Sequence, residues 1–216
     1  MVQDPLILSF DTSAAHCAAA VLSGDRLLAA RGEDMGRGQA ERLFPMLEEL
    51  LGEAGITWRD LTAIGVGVGP GNFTGIRIAV SAARGLALGL GIPAVGVSSF
   101  DALREGAAGP ALTAVSAPRG AVYLDPPDTS PLGPVQPDAL SSGIAGSGLD
   151  VIGAEADTLA RLTGGRALPP AYPLAEAIAR AAARQVGPEA PRPRPLYIRP
   201  ADAAPSREVP PVLLDG

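Results

Sequence analysis

Two stretches of the chain carry residue types at spacings suited to chemistry. The first is Phe10-Asp11-Thr12-Ser13-Ala14-Ala15, which closes a short apolar run from Leu6 to Phe10. A carboxylate and two hydroxyls at the end of a strand can grip a magnesium-bound phosphate. The same residues can equally form a turn that bonds its own backbone. The second stretch is GVGPGNFTGIRIAV, residues 67–80. Its glycines invite a phosphate-loop reading, but a Walker A loop needs a lysine after its last glycine. No lysine occurs anywhere in the chain, so all 17 basic residues are arginines. A dinucleotide fingerprint fails too, because Gly67 and Gly69 are followed by Asn72 where the third glycine belongs. The competing reading is a tight turn at Gly69-Pro70-Gly71 with Thr74 capping a helix.

The remaining reactive groups are sparse. His16 is the only histidine and Cys17 the only cysteine. One histidine cannot build a multi-histidine metal site, and no nucleophile elbow accompanies it for a serine triad. His16 therefore reads as a surface or strand-end residue and Cys17 as a small core residue. One cysteine allows no internal disulfide and suits a reducing compartment. A net charge of −6 makes the surface a poor electrostatic partner for nucleic acid. The N-terminus lacks the basic-then-apolar pattern of a signal peptide, and no apolar run reads as a membrane span. A soluble, cytoplasmic globular protein is expected.

The elements that must position these residues follow from periodicity. Leu6 to Phe10 reads as a strand. HCAAAVLSGDRLLAARGE reads as two strands joined at Ser23-Gly24-Asp25. From Gln39 to Ala54, Ala40, Leu43, Phe44, Leu47, Leu50, Leu51 and Ala54 share a helical face, with Pro45 near the start and Gly55 at the stop. LTAIGVGVG is a buried strand, Thr74 to Leu90 a helix, IPAVGV a strand, and SSFDALREGA a short helix capped by Ser98 or Ser99. The first hundred residues thus read βββαβαβ, an α/β layered fold. Later, ALTAVSAPRGAVYL reads as a hairpin, DPPDTSPLGPVQP as loop, and GIAGSG as strand and turn. AEADTLARL and PLAEAIARAAARQ read as helices, and the proline-punctuated end as extended chain. A faint repeat of the plan across the two halves is conceivable from this order alone.

Three segments together resemble the TsaB (YeaZ) family: ILSFDTS, ERLFPMLEELLGEAG, and the long run from GVGPGNFTG to SSFDAL. The resemblance is nearly continuous from Leu6 to Leu103. RGAVY at Arg119 to Tyr123 and PLYIRPADA at Pro195 to Ala203 are similar to later landmarks of that family. It implies an α/β fold of the actin/Hsp70/sugar-kinase (ASKHA) type with two ribonuclease H-like lobes, the second reduced. The expected divisions are 1–103, 104–200 and an extended tail at 201–216. It also implies a non-catalytic scaffold for TsaD, the paralogue that forms N6-threonylcarbamoyladenosine beside the anticodon of tRNA. The ATPase TsaE joins a larger complex, a homodimer is possible alone, and tRNA is met only through the complex. No cofactor and no metal are expected. In TsaD-like relatives a histidine pair one helical turn apart binds metal; the matching positions here are Ser99 and Leu103, and acidic positions after the DTS match Ala15 and His16. The family's DAR before GEVY is Ser116, Ala117 and Pro118 here, with Ala121 replacing the glutamate. Asp11, Thr12 and Ser13 remain as a vestigial nucleotide site. The alternative is an enzyme of the same fold, a nucleotide-dependent phosphotransferase or a metalloprotease.

The helix from Thr74 to Leu90 adds a physical motive for a partner. Ile76, Ala79, Ala83, Leu86, Ala87 and Leu90 make one apolar face, and Ile78, Ala82, Gly85 and Gly89 a nearly opposite small one. A helix apolar on both faces is usually covered on both. The expected partner surface comprises Leu43, Leu47, Leu50, Ile78, Ala82, Gly85 and Gly89, rimmed by Arg77 and Arg84. The preceding helix covering that second face within the monomer is the competing expectation.

Overall fold

A computed structural model describes residues 4–187, 190 and 192–198. The expected tail at 201–216 lies outside them. The chain opens with three strands, β1 (Leu6–Asp11), β2 (His16–Ser23) and β3 (Arg26–Asp34), then α1 (Gln39–Ala54), β4 (Ala63–Gly67), α2 (Phe73–Leu90), β5 (Ala94–Val97) and α3 (Ser99–Arg104). It continues with β6 (Ala111–Ser116), β7 (Val122–Asp125), β8 (Leu132–Val135), β9 (Asp150–Gly153), α4 (Ala156–Thr163), β10 (Ala167–Leu168) and α5 (Leu174–Gln185).

The first sheet has the order β3-β2-β1-β4-β5. β1 pairs antiparallel with β2 and parallel with β4. The second sheet runs β10-β9-β6-β7-β8, with β6 antiparallel to β7 and parallel to β9. Numbered from its own first strand, that is the same order with the same directions, so the repeat across the halves is real. Beside its central β6 its strands are shorter than their counterparts, down to two residues in β10. The result is a two-lobed α/β architecture in which the second sheet repeats the strand order of the first.

Core formation explains the layers. Leu43, Met46, Leu47, Leu50 and Leu51 of α1 and Ile76, Ala79, Val80 and Ala83 of α2 bury against Leu8, Phe10, Ile64 and Val66. On the other face α5 brings Ala175, Ile178 and Ala182 to the first sheet, where Gly65 leaves room: a Cβ there would lie 3.0 Å from that of Ala182. Helix α5 therefore belongs to the first lobe, although it follows the second in sequence. A chain segment expected at 104–200 as one lobe is thus divided by packing. The ion pair of Glu105 with Arg184 joins the end of α3 to α5.

Several local expectations change. Met46, not Phe44, points inward from α1. Pro45 stands in the second turn, on the exposed side of α1. β8 and β9 arise where a proline-rich loop and unassigned chain were read. By length and composition α2 is apolar enough to cross a membrane, at a mean hydropathy of 1.3, which corrects the expectation that no run is. Its inner face nevertheless packs on the first sheet, and Arg77 and Arg84 stand on its outer side.

Candidate functional site

The Asp11-Thr12-Ser13 segment leaves β1 and is fully turned inward, with Asp11 and Thr12 at 0% exposure. Thr12 Oγ1 donates to the Gly75 carbonyl at 2.7 Å. The backbone amide and hydroxyl of Ser13 both donate to Asp11 Oδ1, at 2.8 and 2.9 Å. His16 Nε2 lies 2.6 Å from that same oxygen. His16 opens β2, as the strand-end reading has it, and is half-buried and paired. Asp11 holds its pKa above 6.5, the hydrogen bond outweighing the opposing effect of burial. Asp11 Oδ2 is buried without a partner and faces Gly67, where a Cβ would fall 1.8 Å from it. Cys17 is buried in the first core, which pushes its thiol up to about 11.

The glycine loop closes over this segment. Asn72 donates its amide to the Ser13 carbonyl at 2.6 Å. A Cβ on Gly71 would meet the Ser13 carbonyl oxygen at 2.2 Å, and one on Gly75 the Thr12 carbonyl oxygen at 1.9 Å. The glycines are therefore needed because one backbone lies directly on another, not because a phosphate must approach. Asn72 caps α2, its side chain accepting from the Gly75 amide at 3.0 Å, so the cap is two residues before the expected Thr74. Gly69 sits at φ 92, before the cis Pro70. The hydroxyls of Thr12 and Ser13, expected at a nucleotide site, thus donate within the fold.

Ser99 and Leu103, the positions that the family resemblance matches to a histidine pair, are also occupied by packing. Ser99 donates its amide to the Gly69 carbonyl at 2.8 Å, and its hydroxyl to the Pro70 carbonyl at 3.4 Å. Leu103 reaches the second sheet, where its Cδ1 would lie 2.9 Å from a Cβ on Gly153. Among the described residues, no group of three His, Cys, Asp or Glu stands close enough to hold a metal. Ser13 and His16 share one carboxylate oxygen. They do not stand in the serine–histidine–aspartate series that a triad requires.

The expected partner surface separates into two sets. Leu43, Leu47 and Leu50 are buried, because α1 uses that face to cover the first sheet. Ile78 and Ala82 are half-buried against the same core. Gly85, Gly89, Arg77 and Arg84 are exposed. With Phe73 at 52% and Leu88 at 86% exposure, they mark the outward side of α2. Phe73 and Leu88 were missed as surface anchors. Their angular position beside Arg77 and Arg84 was the available signal.

Comparison with known proteins places this architecture. Residues 32–128 match the family described as TsaD, tRNA N6-adenosine threonylcarbamoyltransferase. A tRNA threonylcarbamoyladenosine biosynthesis protein TsaB from Escherichia coli (strain K12) is 38% identical over 122 residues, 54% of this chain and 52% of that protein. The match to its Haemophilus influenzae counterpart is 33% over 107 residues, 49% of this chain and 44% of that protein. The chain spans about half the length of the curated relatives it matches. Over nearly its whole length it superposes on a Pseudomonas aeruginosa protein described as uncharacterized with similarity to peptidase YeaZ. That pair is 30% identical with a TM-score of 0.71, covering 90% of this chain and 100% of the other. The chain belongs to the TsaB (YeaZ) family. YeaZ from Pseudomonas aeruginosa is 28% identical with a TM-score of 0.68, covering 89% of this chain and 99% of that one.

Proposed function

We propose that the chain is a non-catalytic scaffold subunit in the formation of N6-threonylcarbamoyladenosine in tRNA, supporting TsaD. The observation that carries this reading is the closure of the DTS segment by the glycine loop. Thr12, Ser13 and one oxygen of Asp11 are bonded to the chain itself, and Gly71 and Gly75 seat the loop directly on them. That arrangement favours a rigid support over a phosphate or substrate pocket. The outward side of α2, with Arg77, Arg84, Gly85, Gly89 and the newly recognised Phe73 and Leu88, is the proposed contact with TsaD. In the absence of TsaD the same side would serve a second copy. TsaE joins the larger complex, tRNA is contacted through the partners, and the setting is cytoplasmic.

The test is reconstitution. Mixed with TsaD, the chain is expected to co-elute on size exclusion, and threonylcarbamoyladenosine formation by TsaD and TsaE should fall sharply when the chain is omitted. Full activity without it, or metal-dependent peptide hydrolysis by the chain alone, would reject the scaffold reading.

A further inference from the structure

Residues 192–198 run as a strap past the carboxyl ends of β4 and β5. Pro193 is buried against Gly96, where a Cβ would lie 3.2 Å from the Pro193 Cα. Leu196 donates its amide to the Val68 carbonyl at 2.8 Å, and its side chain joins the first core. Tyr197 then reaches α2. Its ring stacks on Phe73, with centroids 5.2 Å apart and planes 28° from parallel. Its hydroxyl accepts from Arg77 Nε at 3.1 Å, and the Arg77 guanidinium lies 3.7 Å over the Phe73 ring. Tyr197 still keeps 47% exposure.

Farther along α2, helix and strap enclose a groove of about 520 Å³, lined by Ala87, Leu88, Ile92 and Pro193 and flanked by Arg84 and Arg192. From Leu61 to Phe100 the sequence has no acidic residue, although the chain carries −6 overall. This side is therefore locally cationic, with aromatic and aliphatic anchors between the arginines. Tyrosine and arginine dominate the strong positions of protein interfaces. A guanidinium held over a ring loses little hydration when a carboxylate covers it. A nucleic acid is the poorer occupant, because Glu41 and Glu48 stand exposed on the neighbouring α1 and repel phosphates.

We propose that the strap is half of the partner face: Tyr197 and Arg192 join Phe73, Arg77, Arg84 and Leu88 to receive an acidic surface of a partner protein that also presents apolar side chains. This rests on the scaffold reading and adds to it a second segment, distant in sequence from α2. The partner's carboxylates meet the arginines, and an apolar side chain enters the groove.

The full chain and three variants, Tyr197→Ala, Tyr197→Phe and Arg192→Glu, are titrated with TsaD by calorimetry at two salt concentrations. Tyr197→Ala and Arg192→Glu should each weaken binding about tenfold or more. Tyr197→Phe keeps the stack and should stay near wild type, and the wild-type affinity should fall with salt. Arg192 is exposed, so Arg192→Glu should keep the wild-type melting temperature and separate loss of binding from loss of fold. Unchanged TsaD binding by both Tyr197→Ala and Arg192→Glu overturns the strap while leaving the scaffold reading intact. No binding of wild type to TsaD overturns both. Variants that lose tRNA binding and keep TsaD binding would assign the face to nucleic acid and overturn the proposal.

Discussion

Asp11 shows how one carboxylate can organise a turn. One oxygen collects Ser13 and His16, and the other is buried against Gly67. Because Asp11 holds the folded pKa of His16 above 6.5, protonated His16 stabilises the native state. The sign follows from linkage: the contribution is complete below the unfolded value near 6.5 and is lost as pH rises through the folded value. Asp34, across the β2–β3 ladder, acts in the same direction. The melting-temperature difference between wild type and His16→Gln should therefore be largest below pH 6.5 and shrink as the pH rises above it. A difference that grows with pH would disprove the pairing. Gly75→Ala tests the loop contact. Alanine favours a helix by roughly 1 kcal/mol over glycine. Here its Cβ meets a backbone oxygen at 1.9 Å, and overpacking of about 1–3 kcal/mol should win. Chemical denaturation should read a net loss of stability.

At the scale of elements, α1 and α2 look alike in composition and differ in what they face. Arg42 ties α1 to β3 through Glu33 at 2.6 Å and also holds Glu49 at 2.8 Å. Its guanidinium keeps both carboxylates below their usual range. That clamp fixes the apolar side of α1 on the sheet. Leu47→Ala should then cost about 2–5 kcal/mol, as a buried truncation does. Leu88→Ala, on the open side of α2, should stay within about 0.5 kcal/mol. Urea midpoints of the two variants give the comparison, and similar losses would mean the two faces are assigned wrongly. Charge insertion separates positions in the same way. Gly85 has open space where a Cβ would go, so Gly85→Glu should keep the fold and weaken TsaD binding. Ala82 packs against the core, so Ala82→Glu should also lower the melting temperature.

For the whole molecule, the two lobes repeat one strand order, with shorter strands around β6 in the second. α5 crosses back to the first sheet and ties the chain's later half to its start through Ser9, whose hydroxyl donates to the Ala175 carbonyl at 2.6 Å. A net charge of −6 leaves the sequence-independent attraction to phosphates small or repulsive. The isolated chain should bind tRNA only weakly in a filter or anisotropy assay at physiological salt. Submicromolar, salt-sensitive binding would contradict this.

The sequence by itself determined the order of the first five strands and three helices, the helix bounds near Gln39, Ala54 and Leu90, and the family. Those features are local: apolar period, glycine stops and a contiguous motif carry them within short windows. Only the tertiary structure decided which faces were free. Leu43, Leu47 and Leu50 have the same pattern whether a sheet of the same chain or a partner covers them, and periodicity cannot name the cover. The inward turn of Asp11, Thr12 and Ser13 depended on glycines some sixty residues away, as the Thr12 contact with Gly75 shows. The short strands β8 and β9 form because the second sheet supplies neighbours to their few residues, where local propensity is too weak to mark them. The strap joins α2 through Tyr197 and Arg77, 120 residues apart, a contact no window of sequence contains.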